Sequence, residues 1–550
     1  RICDRMKKCA VILFSLVFIG LLFGHVEDQE KADLVVLNGR VFTISEENPE
    51  VQAVAVKAGK IIALGTTKKI KEYVGLSTKV LDVRRKLVLP GFIDAHCHFS
   101  SGGRSLSMLD LSSATSVAYI QEKIAEGIKE TPKGKLVSGY VSFPNPTLYG
   151  ELGWPTKEIL DKVSPDNPVV MRRRGGHAVW VNSVVLEMSN ITKDSEAPEG
   201  GEIVFDPKTG EPTGILKEAA ASLMKVHGEV NPKEDIERAL KHAAKLGLTG
   251  IHTGSYLKEI DIYKELRDEG KLTLRVYGWL PISQLDEYIE KGIKQGQGDE
   301  MVKVGFLKCY IDGTIGVRSA LMFEPFTEEP GNTGLAQMEE EEFYALVEKA
   351  HKNGYQVGVH AIGDKAVHWV LNAVERAQDK HGKKGLRHRV EHNTVNILPD
   401  TKRFRELGVI ASMQPTITGG EMYKRQRLGI ERARRVDMVR TLLTNGTVLC
   451  WGTDWPVSPI NPMYNLNELV NRLYPEQKLT MAEAIKYYTL GPAYASFEED
   501  IKGSLEVGKL ADMVVLSKDL LRPNPKDIPK TEVLYTIVGG KIVYDKSTAE

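Results

Sequence analysis

Between Phe92 and Pro456, eight strand-like runs alternate with amphipathic stretches, and no other feature restricts the fold as tightly. The runs are FIDAHCH, LTGIHTG, LTLRVYGWL, GFLKCYIDG, YQVGVHAIG, LRHRVEHN, GVIASMQP and VLCWGTDWP. Segments such as PKEDIERALKHAAKLG, EEEFYALVEKAHKNG and DKAVHWVLNAVERAQDKHG lie between them, apolar at helical spacing and ending in glycine. Such alternation predicts parallel strands. Eight βα units predict an α/β fold, a (β/α)8 barrel of the TIM type over residues 90–500. From Ser100 to about Asn231 the chain is far longer than one βα connection requires. An insertion after strand 1, about 100–231, is therefore expected to carry its own strands and to cap the barrel mouth.

Outside the barrel the pattern changes. Residues 26–89 hold short alternating strands (ADLVVLNGRVFT, AVAVKAGKIIALG, KVLDVRRKLVLP) with turn signals at Asn38-Gly39 and Gly59-Lys60. Similar strands return in 501–550 (GSLEVGKLADMVVLSKDL, VLYTIVGGKIVYD). One small β-sandwich built from both ends of the chain accounts for both. At the N-terminus, Met6-Lys7-Lys8 precedes an apolar run, Cys9 to Gly24, and then Glu27, Asp28 and Glu30. That is the layout of a signal peptide, or of an N-terminal anchor, over residues 1–25, and it predicts a secreted or periplasmic protein.

Lys+Arg and Asp+Glu both number 73, so no net charge favours nucleic acid as a partner. No membrane contact is expected beyond the leader; exposed barrel helices would suit a homo-oligomer. Cys97, Cys309 and Cys450 are scattered and odd in number, which is no disulfide framework. They read as buried free thiols facing away from the site.

The chemistry-bearing residues sit at strand ends. His96 and His98 share one face of their strand, with Cys97 on the other. Alone, a His-x-His pair is as consistent with a polar strand end as with a metal site. Four further strand ends carry Lys308, His360, His392 and Asp454. In a barrel these positions converge on the C-terminal mouth, and imidazoles with a carboxylate suit zinc or a similar divalent ion. His360 alone could be a core histidine and Asp454 a helix N-cap, but coincidence at so many strand ends is a poor account.

The same stretches, with GGHAVWVNS, DPKTGEPTGILKEA, VHAIGDKAV, RHRVEH, GTDWPVSP and KGSLEVGKLADMVVL, resemble the amidohydrolase superfamily. The finer likeness is to its family 3 branch, which includes N-substituted formamide deformylases. The resemblance covers the chain after the leader. It implies that His96 and His98 hold one metal and His360 and His392 a second, with Lys308 bridging them as a carbamate. A one-metal site with Lys308 left as an amine is the alternative. Asp454 is implied as ligand and proton shuttle. Water on zinc has its pKa lowered from about 15.7 to roughly 7, and Asp454 would pass its proton to the leaving nitrogen. The expected substrate is a small molecule with an amide, N-substituted formamide or cyclic amide C–N bond. An ester or peptide-like bond, and a non-catalytic scaffold, are the rival readings.

Other residues are placed near the site with competing roles. His177 is a substrate contact or a structural histidine. Asp312 and Arg318 line the mouth or form a loop salt bridge. Trp455 walls the pocket, Asp94 orients a ligand from behind, and Trp154, Trp180 and Trp279 pack the core. The charged stretch 416–436 reads as an irregular wall between strands 7 and 8.

Overall fold

Apolar, β-branched segments bounded by glycine and polar residues form eight strands in the computed structural model. They are β1 (Phe92–Cys97), β2 (Leu248–Gly254), β3 (Arg275–Pro281), β4 (Val302–Tyr310), β5 (Val357–Ala361), β6 (Arg389–His392), β7 (Ile410–Met413) and β8 (Leu449–Trp451). The structure describes residues 31–548 except 112, 144, 151–152, 174–177, 199–200, 227–230, 317, 418–419 and 523–524. The leader, residues 1–25, lies outside the described residues. Among those described, no helix is long and apolar enough to cross a membrane.

The eight strands form one sheet in sequence order, parallel at every pairing from β2 to β8. Beyond β8 the chain hydrogen-bonds back to β1: the Asp454 N–H donates to the His96 carbonyl (2.7 Å), and the His98 N–H to that of Trp455 (2.8 Å). This is the expected barrel. Helix Pro232–Lys245 buries Ile236, Ala239, Leu240 and Ala243, one face at i, i+3, i+4 and i+7. Helix Asp364–His381 ends at Gly382 with φ 81°, a conformation that costs glycine little.

The expected insertion folds as a six-stranded sheet between β1 and β2. Its order is Gly201–Phe205, Pro212–Glu218, Ala178–Val181, Val169–Arg173, Val137–Val141, Leu109–Leu111. Both faces are apolar. Val169, Met171, Trp180 and Ile215 meet Ile120, Ile124 and Leu160 on one side. Val170, Val179, Val181 and Leu216 meet Val185 and Leu186 on the other, the alternation that strand pleating dictates.

The chain divides into two compact units, residues 31–93, 245–249 and 479–548, and residues 94–244 and 250–478. In the first, Leu87–Pro90 pairs antiparallel with Met513–Leu516, joining the two ends of the chain in one sheet. Val41, Val88, Met513, Val515 and Ile537 of that sheet share one apolar layer with Leu34, Val36, Val54 and Val56 of a four-stranded sheet. Helix Met481–Ala495 also belongs to this unit, ahead of its C-terminal strands.

One expectation is overturned. Most of stretch 416–436 is helix, Glu421–Ala433, broken in direction at Gly429 (φ 77°). Arg432 anchors it through the carbonyls of Glu324 (2.8 Å) and Pro325 (2.7 Å). Charge on a helix face does not prevent a helix; the dense arginines masked its periodicity.

Candidate metal centre

His96, His392 and Asp454 each offer a ligand atom, and these atoms all lie within 4.8 Å of one another. The Nε2 atoms of His96 and His98 lie 3.5 and 3.2 Å from Oδ1 of Asp454. The His360 ring packs edge-on to His392, centroids 4.3 Å apart. Five of the expected residues therefore meet at the C-terminal end of the barrel. His392 and Asp454 have left-handed backbones, φ 72° and 53°, which residues with a Cβ adopt at a cost of about 1–3 kcal/mol each. Adjacent strand residues normally face opposite ways. With His392 out of the strand conformation, it and Glu391 both reach His96.

Hydrogen bonds assign the imidazole nitrogens. His96 Nδ1 donates to Glu391 Oε2 (2.6 Å) and His392 Nδ1 to Gln414 Oε1 (2.7 Å), leaving each Nε2 with a lone pair. His360 Nε2 donates to the Gly313 carbonyl (3.1 Å), leaving its Nδ1. Burial, then the Lys308 charge, hold His360 down to about 4; burial is also the first cause that holds His96 and His392 well below the usual histidine range. All three are neutral bases near pH 7, as metal ligands must be. Burial raises the Asp454 pKa, but the bond to His98 and the nearby charge of Lys308 help to bring it below the usual carboxylate value, so the carboxyl stays ionised.

Lys308 is buried, and its Nζ has no hydrogen-bond partner among the described residues. It lies over the rings of Tyr310 (4.8 Å) and Trp279 (5.5 Å). Burial, against the attraction of Glu391 and Asp454, brings it down to about 8. An unpaired buried amine beside three neutral imidazoles and a carboxylate is poorly satisfied by this chain alone. The imidazole and carboxylate donors fit a divalent ion, and Lys308 would fit beside one only with its positive charge removed.

The remaining expectations divide. The Asp94 carboxylate accepts from the His96 N–H (3.0 Å), the Thr453 N–H (3.1 Å) and the Thr453 hydroxyl (2.6 Å), fixing the main chain of β1 against Thr453, next to Asp454. Burial raises it to about 7. Asp312 lies 3.6 Å from His360 but is occupied by the N–H groups of Leu321, Ile362 and Gly363. Arg318 forms the loop ion pairs, with Glu329 (3.0 Å) and Glu328 (3.3 Å), rather than facing the centre. Trp455, beside Asp454, is buried against Phe99 and His242, over Gly102, where a Cβ would stand 2.1 Å from its ring. His177 lies outside the described residues. Cys97, Cys309 and Cys450 are buried free thiols, as expected.

Trp279 packs in the core with Tyr277 and Phe306, as expected, and also stands by the site, with ring centroids 5.8 Å from His96 and 5.4 Å from His98. Gly254 makes room for it, since a Cβ there would come within 2.5 Å of the indole. Glu391 and Gln414, the partners of His96 and His392, are not identified by the sequence reading. Glu391, beside His392 in HRVEH, was the one visible signal.

With the geometry established, comparison with known proteins is direct. The amidohydrolase family profile matches residues 79–544. Protein LONG AFTER FAR-RED 3 of Arabidopsis thaliana is 31% identical over 539 residues, covering 93% of this chain and 92% of its own. The N-substituted formamide deformylase of Arthrobacter pascens is 27% identical over 541 residues, 94% of this chain and 99% of its own. The crystal structure of a metal-dependent hydrolase from Pyrococcus furiosus superposes with a TM-score of 0.73 at 29% identity, over 89% of this chain and all of that one. The chain belongs to the amidohydrolase family, and it is a metal-dependent hydrolase.

Proposed function

We propose that the enzyme releases an amine from an N-substituted formamide, a related small amide or a cyclic amide, using two zinc ions. The observation that carries this is the meeting of His96, His392 and Asp454 at the barrel mouth, with His98 on Asp454 and His360 on His392. Support for the substrate class comes from the relative named as a formamide deformylase. His96, His98, His360, His392 and Asp454 would hold the ions. A bound divalent ion supplies a Lewis acid for the carbonyl and acidifies water.

The chain's own residues do the rest. Asp454, held ionised, takes a proton from the attacking water at a carboxylate oxygen and returns it to the leaving nitrogen. Lys308, brought down to about 8, has a neutral fraction that can attack carbon dioxide: an N–C bond forms, a proton leaves, and an anionic carbamate replaces the orphaned amine. Such a group would offer the ions an anionic oxygen ligand in place of a cationic amine. Trp279 and Tyr310 keep water from the amine on one side.

Steady-state hydrolysis of N-alkyl and N-aryl formamides, simple amides, cyclic amides and matching esters tests this, with and without prior chelation. Metal-dependent turnover of a formamide or amide is expected. Turnover of esters alone would overturn the substrate class.

A further inference from the structure

Beneath the ligand histidines lies a charged pair that the reaction as proposed does not use. Arg389 and Glu391 are both fully buried in the barrel interior. Glu391 Oε2 accepts from His96 Nδ1 at 2.6 Å and from Arg389 Nη2 at 3.3 Å; Arg389 Nε lies 2.6 Å from Oε1. The guanidinium reaches four other strands. It donates to the Ala95 carbonyl on β1 (2.8 Å) and Ser412 Oγ on β7 (3.0 Å), meets His252 Nδ1 on β2 (2.9 Å), and lies 4.3 Å from the Phe306 ring centroid on β4. Gly358 on β5 leaves the space: a Cβ there would stand 2.3 Å from Phe306 and 3.0 Å from Glu391 Oε1.

Burying an ion pair this deeply gains little stability over apolar residues of the same size. A barrel interior of branched aliphatic side chains would close as well. What the pair does provide is orientation. An ionised carboxylate only accepts, so Glu391 requires the proton on His96 Nδ1 and turns Nε2 toward Asp454.

We propose that Glu391 and Arg389 are positioning residues for metal binding: Glu391 fixes the tautomer and ring angle of His96, and Arg389 fixes Glu391. Glu391 is thus not a metal ligand. The inference rests on the metal-site reading above.

The test uses the full chain with Glu391→Gln, which is isosteric, and Arg389→Lys, which keeps the charge. Three properties are read: thermal unfolding of the metal-free protein, zinc affinity by competition with a chelator, and the visible absorption of the cobalt-substituted form. Expected is the wild-type metal count at saturating zinc, an affinity lowered about 10- to 100-fold, and a shifted cobalt spectrum. Unchanged affinity and spectrum in a folded variant would overturn the proposal, leaving the pair purely structural. Loss of a metal equivalent from Glu391→Gln at saturation would overturn it by making Glu391 a ligand. Should Arg389→Lys show no folding transition, Glu391→Gln decides alone. Failure of the wild-type chain to take up metal would instead sink the metal-site reading itself.

Discussion

Asp454 combines a left-handed backbone, an ionised carboxylate and contacts to both His96 and His98. Asp454→Asn keeps the shape and removes the base, so kcat should fall about 100-fold or more with KM little changed, since general acid–base catalysis contributes about 10²–10⁴-fold. Steady-state kinetics on any substrate that turns over will decide it, and an undiminished kcat would remove Asp454 as proton shuttle. Away from the site, burial holds His388 down to about 3, with its Nδ1 accepting the Val357 N–H and its Nε2 at 2.9 Å from His351 Nδ1. The unfolded chain takes up this proton near 6.5, the folded chain does not, so stability is full above 6.5 and falls as pH drops toward 3. The loss from this group is roughly 1.4 kcal/mol per pH unit. Urea unfolding between pH 5 and 7 should show a slope smaller by about one proton in His388→Gln; an equal slope would mean that His388 does not titrate this way.

At the scale of elements, strand ends were legible because strand–helix alternation fixes where each strand stops. His96, His98, His360, His392, Lys308 and Asp454 could all be placed at the mouth on that ground alone. What pairs with them across the barrel was not legible, because partners such as Glu391 and Gln414 depend on register between strands far apart in sequence. The positive φ at His392 hid Glu391 further, since a period of two puts neighbours on opposite faces. The nearness of Trp279 to the site was hidden for a related reason: at the end of β3 it stands by His96 and His98, and Gly254 at the end of β2 leaves room for its indole. Gly254→Ala should therefore push the indole toward His96 and His98, at a cost of about 1–3 kcal/mol for overpacking. Thermal unfolding should show that modest loss together with a larger loss of activity. A variant with full activity would mean that Trp279 does not shape the site.

For the whole molecule, the barrel, the insertion after β1 and the sheet shared by both chain ends follow from the order of strands and helices. The boundary near 479 does not, because helix Met481–Ala495 has the same periodicity as a barrel helix and only its packing assigns it to the other unit. Substrate choice is set by residues outside the ligand positions, which strand periodicity does not identify. The central claim concerns the ligand set, and metal content per chain tests it most directly. It should be measured by elemental analysis on protein purified without chelator in bicarbonate, beside His392→Ala. The account predicts about two equivalents of divalent metal in the wild-type chain and a loss in the variant. A wild-type chain that holds none, even after reconstitution with zinc, would contradict it.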